Sequence, residues 1–471
     1  MAARRSLLLS VALAVCAPAG CSRATEPPRP SIVLITLDTT RFDYLGCYGF
    51  RRPASPNLDR LAADSAVFTQ AYATSSWTLP THASLFTGKL PSAHGAQSDP
   101  EGPLDLTQGF DAAHAQEKWK RFRVRPLAQG EITLAGILAH QGYATGGVAG
   151  GPWLKRVFGL AQGFQTWDDE NVGSLNGRPA DDVTRAALAF LDAHAARPFL
   201  LFANYYDPHE PYLPPRDDLR AVGMPGEDWR TLTPEDQARA EYAAEIHAMD
   251  RGIGQVIDRL RALGLYDSSF VIAVADHGQL LGDRYLGGAP VTGHGKTLSE
   301  AEIRVPFLVK FPGGSHRGSH AGRISQVDLL PLLLGELGLP SPPRQQGASP
   351  LVDGALRAVA HPIVAELHPD PSLADEAGVE APLRGDWLVG FDGDWKLAWN
   401  GLGRSGLVDL AADPREEKNL FGAETVRAAA MEQALRGYLA SLPPPGPAGA
   451  VGEVDPETLR ALRRLGYLGD D

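Results

Sequence analysis

Three apolar runs in this chain end on groups that bind cations or move protons. "SIVLITLD" closes on Asp38, "PFLLFANYYDPHEPY" runs into Asp207 and His209, and "SFVIAVADHG" closes on Asp276 and His277. Each ending alone is ordinary turn chemistry, because Asp, His and Gly serve well after any strand. Three at one sheet edge mean more, since converging carboxylates repel unless a cation lies among them. Oxygen and imidazole donors without thiolate suit a divalent ion such as Mg2+, Mn2+, Ca2+ or Zn2+, and Asp38, Asp276 and His277 are the expected ligands. A fourth segment, "SSWTLPTHASLFTG" at residues 75 to 88, offers a hydroxyl at Thr78. An ion that also held Thr78 would lower the pKa of that hydroxyl and make it a nucleophile at neutral pH. His82, four residues on, is either support behind the site or helix surface.

For these endings to meet, their strands must lie side by side and run the same way. Continuous β-branched and Leu runs are the pattern of strands buried on both faces of a mainly parallel sheet. Helical periodicity alternates with them, in "SPNLDRLAADSAVFTQAY" with Ser55 as cap and Pro56 at the first position, in "DDVTRAALAFLDAH" and in "YAAEIHAMDRGIGQVIDRLRALG". The alternation predicts an α/β fold, a large mostly parallel mixed sheet sandwiched by helices, with ligands at the carboxyl ends of the strands. A polar insert from Gly95 to Ile132 reads as a surface excursion that overhangs the site. Past the Pro-rich "PSPPRQQGASP" the pattern shortens to "DWLVGFDGDWKLAWN" and "SGLVDLAADPREEKNL", a small antiparallel sheet. A closing helix is expected to begin at "DPREE", with Asp413 as cap, Pro414 first and Glu416 three residues after the cap. The organisation read here is an export segment and tether over 1–30, a catalytic domain over 31–384 and a small subdomain over 385–471, with a soft boundary near Arg384.

Composition narrows the partners. With 471 residues and a net charge of −12, the chain can bury a large core but offers no clustered Lys and Arg for nucleic acid. Arg4 and Arg5 before "LLLSVALAV" and "APAGC" read as a bacterial export signal, which places the protein in the periplasm or cell envelope. Cys21 stands where a lipoprotein cysteine would, although Pro18 replaces the usual Leu, so a membrane tether and simple cleavage are the two readings. Cys47 is left without an obvious partner, and a disulfide framework is excluded.

"LDTTRFDYLGCYG", "TLPTHASLFTGKLPSAHG", "YYDPHEPYLPP", "ADHG", "IRVPFLVKFPG", "VDLLPLL" and "DPREEKNL" follow one another as in the sulfatase family of the alkaline phosphatase superfamily, which the chain resembles from Ser31 to the terminal "LGYL". The resemblance implies a two-domain α/β fold, a metal held by acidic residues with His or Asn, a nucleophile opening a short helix, and hydrolysis of an oxyanion ester. By motif match it gives Asp38, Asp276 and His277 the metal positions, Thr78 the nucleophile position, and His209 a contact to the substrate or its leaving group. His294 and Lys296 in "TGHGKTLSE" fall where a further cationic contact is expected, the alternative being a solvated Gly-rich loop.

Three positions depart from the family pattern: Thr78 replaces the Cys or Ser of CxPxR or SxPxR, His82 replaces the Arg, and Thr39 replaces a second Asp. Threonine cannot become formylglycine. A formylglycine hydrate expels sulfate by collapsing to an aldehyde, an exit a sulfated threonine lacks, whereas water can attack a phosphothreonine in line at phosphorus. The expectation is therefore a metal-dependent hydrolase of phosphate mono- or diesters, or a relative that still accepts sulfate esters, acting on an anionic small molecule, glycan or lipid. Alternatives are transfer of a phospho-substituent to a surface glycan or lipid, and a retired homologue that binds anionic glycans. Asp207, His209 and His294 are the residues for a second metal, although the "DPH" spacing matches the single-metal pattern better. Specificity is expected in the Gly95 to Ile132 insert and in the loops around Asp283 and Tyr285.

Overall fold

In a computed structural model of the protein, the described residues are 29–105, 107, 122–172, 176–223, 228–286, 289–368 and 385–445. The export segment with Cys21, residues 108–121 of the polar insert, the Tyr285 side chain and the terminal "LGYL" lie outside them.

The runs "IVLITL", "FLLFANY" and "FVIAVA" form strands as expected, and further segments join them. In chain order these are β1 (Ile32–Leu37), β2 (Ala66–Phe68), β3 (Ala144–Val148), β4 (Thr166–Asp168), β5 (Phe199–Tyr205) and β6 (Phe270–Ala275). A hairpin follows, β7 (Leu280–Leu286) and β8 (Ala289–Gly293), then β9 (Phe307–Lys310) and β10 (Gly318–His320). Eight of these make one sheet in the order β10-β2-β9-β6-β1-β5-β3-β4. The run from β6 to β4 is parallel, and β9 is antiparallel to both its neighbours. Register decides function here: Leu37 lies opposite Ala275 on one side and Tyr205 on the other. The residues that follow these three, among them Asp38 and Asp276, therefore leave the sheet at one level.

Helices cover both faces. Phe202 and Tyr205, three apart on β5, point to opposite faces by the two-residue period of a strand. Phe202 packs on His82 and Phe86 of α2 (Thr78–Thr87), following α1 (Pro56–Ala63) in the chain. The Tyr205 hydroxyl meets Thr184 of α3 (Ala180–His194) at 2.9 Å, beside α4 (Pro234–Ala262). At Gly252 of α4 a Cβ would come within 2.5 Å of Thr184 Oγ1, so the α3–α4 crossing requires glycine there.

Two expectations change. The helix expected over "SPNLDRLAADSAVFTQAY" ends at Ala63, and "AVF" and "AY" become strands, because Val67 and Phe68 complete the sheet beside β9. "DPREE" is a turn, and the closing helix, here called α6, starts later at Thr425–Ser441, after α5 (Glu300–Ile303). Asp413 caps a loop, accepting from Lys418 N at 2.8 Å, while Glu416 adopts a left-handed φ of 54° and sends its carboxylate inward. A capping pattern was present, but buried cations claimed the glutamate. The C-terminal antiparallel sheet runs β11 (Val364–Leu367), β12 (Trp387–Asp392), β13 (Trp395–Asn400), β14 (Gly406–Asp409), so its first strand precedes Arg384. Met431 and Leu435 of α6 bury against Leu388, Leu397 and Leu407 of that sheet.

Candidate active site

Asp38 and Asp276 are fully buried at the ends of β1 and β6, and with His277 they bring three ligand atoms within 4.8 Å of one another. Among the described residues this is the one such group. Asp38 Oδ2 accepts from Asn204 Nδ2 at 3.3 Å, and Asp276 Oδ1 accepts from the amides of His277 (2.8 Å) and Thr39 (3.1 Å). The other oxygen of each, Asp38 Oδ1 and Asp276 Oδ2, is buried without a hydrogen-bond partner. Burial pushes the Asp38 carboxyl well above the ordinary range, and the Asp276 charge pushes it further. A cation answers both the orphaned oxygens and the repulsion.

His277 donates from Nδ1 to the Gly278 carbonyl at 2.9 Å, which leaves the Nε2 lone pair facing the group. Burial holds this imidazole neutral, with its pKa down at about 4. Two carboxylate oxygens and one imidazole nitrogen thus fit a divalent ion of the oxygen-preferring kind.

Thr78 opens α2. Its Oγ1 lies 3.3 Å from His277 Nε2 and is buried. The helix starts there because Trp77 is extended (φ −155°) and Pro80 falls within the first turn, where a missing N–H is not needed; Gly88, with φ 67°, ends it. All ten residues of α2 are buried, so its positive end faces the site without solvent screening and favours an anion there.

His82 is interior support, not surface. Its Nδ1 donates to the Thr78 carbonyl at 2.9 Å, and its Nε2 accepts from Thr36 Oγ1 at 3.0 Å. Thr36 in turn accepts from Asn204 Nδ2 at 3.0 Å, and Asn204 Oδ1 takes the amides of Gly150 and Gly151. One hydrogen-bonded chain therefore runs from β5 through β1 to the nucleophile's own backbone. Thr36 and Asn204 are residues that motif reading passed over. Their signal was available, since each is a polar residue inside an otherwise apolar strand.

His209 and His294 face the same place. Their rings stand 4.8 Å apart, and His294 is 4.6 Å from the His277 ring. His209 donates from Nδ1 to Glu210 O at 2.6 Å and His294 from Nδ1 to Gln279 Oε1 at 2.9 Å, which turns both Nε2 atoms away from these anchors. Burial lowers both pKa values, that of His209 to about 4, so neither imidazole carries the charge expected of a cationic contact.

The other expected residues take varied places. The Lys296 ammonium donates to the Thr292 carbonyl at 2.5 Å, and its charge helps to hold the His294 pKa down. Asp207 accepts from Ala180 N at 2.8 Å and caps α3, apart from any second metal position. Asp283 pairs with Arg41. Cys47 is a free, partly buried thiol, pushed up to about 12 chiefly by burial and so no rival nucleophile. Thr39 carries a left-handed φ of 52°, held by its amide on Asp276 and by Tyr242 OH on its carbonyl at 2.7 Å. A β-branched residue in that region is strained, and the strain sits between two of the metal-site carboxylates.

A family model described as Sulfatase matches residues 30–339. An ulvan-active sulfatase of Formosa agariphila is 26% identical over 443 residues, covering 84% of this chain and 78% of its own. Human arylsulfatase A is 28% identical over 381 residues, covering 73% and 69%. The crystal structure of a phosphonate monoester hydrolase of Agrobacterium radiobacter superposes with a TM-score of 0.63 at 19% identity, covering 87% of this chain and 96% of that one.

Proposed function

The chain belongs to the sulfatase family, and from that premise we propose a metal-dependent ester hydrolase in which Thr78 attacks a phosphoester, in preference to a sulfate ester, through a covalent intermediate. The observation that supports it most is the Thr78 hydroxyl at 3.3 Å from His277 Nε2, beside two carboxylates that each keep an unpartnered oxygen. Asp38, Asp276, His277 and Thr78 would hold the divalent ion, which when bound would lower the hydroxyl pKa and neutralise charge on the substrate oxygens.

The chain's own groups do the rest. Thr78 Oγ1 forms a bond to phosphorus as the ester oxygen leaves, its proton passing to an imidazole of the His209–His294 pair and then to the departing oxygen. Water then attacks phosphorus and gives a proton to an imidazole of the same pair; the bond between Thr78 Oγ1 and phosphorus breaks, and that proton passes to Oγ1 to restore the threonine. The α2 N-terminus and the hydrogen-bonded chain through His82 fix the attacking oxygen and favour the anion without moving. The relatives' names support an anionic ester as substrate: one is a sulfatase active on ulvan, and the fold neighbour is a phosphonate monoester hydrolase.

The test is Thr78→Ala on a chromogenic phosphodiester with Mn2+ present. Loss of roughly a thousandfold or more in kcat is expected, as for removal of a covalent nucleophile. A metal-dependent rate equal to that of the unaltered protein would refute the assignment.

A further inference from the structure

His277 and His294 both sit on segments gripped by the four-residue helix α5. Gly278 N donates to Glu302 O at 2.7 Å and Gln279 N to Ala301 O at 3.1 Å. The approach is so close that a Cβ on Gly278 would lie 2.0 Å from Ala301 O. On the His294 side, the amides of Lys296 and Thr297 donate to Glu302 Oε1 at 3.3 and 3.4 Å. A shift of α5 would therefore move both imidazoles.

What fixes α5 comes from the far end of the chain. Glu416 Oε2 accepts from Glu300 N, the first amide of α5, at 2.9 Å, and Glu416 Oε1 pairs with Lys396 Nζ of β13 at 2.7 Å. The same ammonium pairs with Glu300 Oε1 at 3.0 Å, and Tyr72 OH donates to Glu300 Oε2 at 3.2 Å. Arg284 of β7, on the hairpin that ends at His294, closes onto the Glu416 carboxylate and also donates to its carbonyl at 2.8 Å. The Lys396 side chain is 1% exposed and that of Glu416 8%. Two carboxylates and two cations thus make a neutral, interior cluster, the kind whose members depend on one another because removal of one strands another's charge. Glu416 alone touches the other three, and it does so from a left-handed backbone that disfavours it.

We infer that Glu416 is a positioning residue for the active site: through α5 and Arg284 it sets the places of His277 and His294, an inference that rests on the hydrolytic reading of those histidines. The bland role for the same cluster is to glue the C-terminal sheet to the rest. The two differ in where the damage goes when the cluster is cut.

The experiment uses the full chain with Glu416→Gln, which keeps an acceptor for Glu300 N but loses the charge. Arg284→Met is the second variant; it cuts the link to the hairpin and leaves both Lys396 pairs in place, and its fold is checked by circular dichroism. Amide hydrogen exchange is read by peptide, and kcat and KM are read on a chromogenic phosphodiester with Mn2+. Exchange should rise about tenfold over residues 276–281 and 293–297 in Glu416→Gln, and over 293–297 alone in Arg284→Met, while β1, β12 and β13 keep their protection. The kcat should fall at least about tenfold with KM within about twofold, the mark of misplaced catalytic groups. Unchanged exchange in those segments, a rise confined to residues 385–445, a rise spread evenly over the chain, or unaltered kcat would each overturn the inference. Exchange is read without substrate, so a parent protein inactive on every ester would defeat the hydrolytic reading while exchange still decides the positioning.

Discussion

A threonine at position 78 changes which bond the site can break. Its oxygen can be esterified, but it has no second oxygen on carbon from which to collapse to an aldehyde, so a sulfated intermediate has no internal exit. A phosphorylated one is open to in-line attack by water at phosphorus. With 4-nitrophenyl sulfate the expected outcome is therefore a burst of at most about one product per protein and then a halt, against continuous release from a phosphodiester. Rapid-mix product counting checks it, and steady turnover of the sulfate would break the argument. At this scale the sequence was informative about Asp38, Thr78, Asp276 and His277, because carboxylates, hydroxyls and imidazoles at strand and helix ends are visible as types. It was silent on direction: nothing in "TGHGKTLSE" says that the Lys296 ammonium turns back to Thr292 O, or that His294 is anchored by Gln279.

Among elements, the parallel order of β6, β1 and β5 was legible because apolar runs buried on both faces leave little choice, and their common register delivers Asp38 and Asp276 to one level. "DPREE" shows the opposite case. Its cap, Pro and Glu satisfy every local rule for a helix start, yet Lys396 and Arg284 form stronger partners for Glu416 than an N-terminal amide would, and those partners are distant in sequence. A similar long-range contact joins β11 to the segment after α2. Glu366 accepts from Ser92 N and Oγ at 3.1 Å and, with Asp386, flanks His368. Burial lowers the His368 pKa, but the two carboxylates outweigh it and raise the value from 6.5 to about 9. A raised folded pKa contributes stability that is complete below pH 6.5 and is lost as pH climbs through about 9. The Asp386 side chain is 61% exposed, so screening reduces the contribution to roughly 1–2 kcal/mol. Between pH 6 and pH 10, denaturant unfolding should show the parent protein losing roughly 1–2 kcal/mol more stability than His368→Gln; an equal loss in both would refute it.

As a whole, the molecule has a buried acidic site that is incomplete by its own electrostatics. Apolar periodicity and strand endings foretold the sheet, its helices and the group of Asp38, Asp276 and His277 at its edge; the coupling of that edge to the C-terminal sheet had no sequence signal, because it depends on charges that meet only after folding. A ligand that binds only the folded state stabilises it, by about 2.7 kcal/mol at a hundredfold excess over Kd. Mn2+ should therefore raise the Tm of the parent protein. In Asp38→Asn, where one buried like charge is removed, the Tm without metal should rise and the Mn2+ shift should disappear. An undiminished Mn2+ shift in that variant would remove Asp38 from the ligand set. The central claim, that an unmodified side-chain alcohol forms the covalent link to substrate, is tested most directly by acid quenching during steady turnover of a phosphodiester with Mn2+, followed by mass spectrometry of the peptide around Trp77. The account predicts a phosphoryl adduct on Thr78; an adduct on another residue, or none while turnover continues, would contradict it.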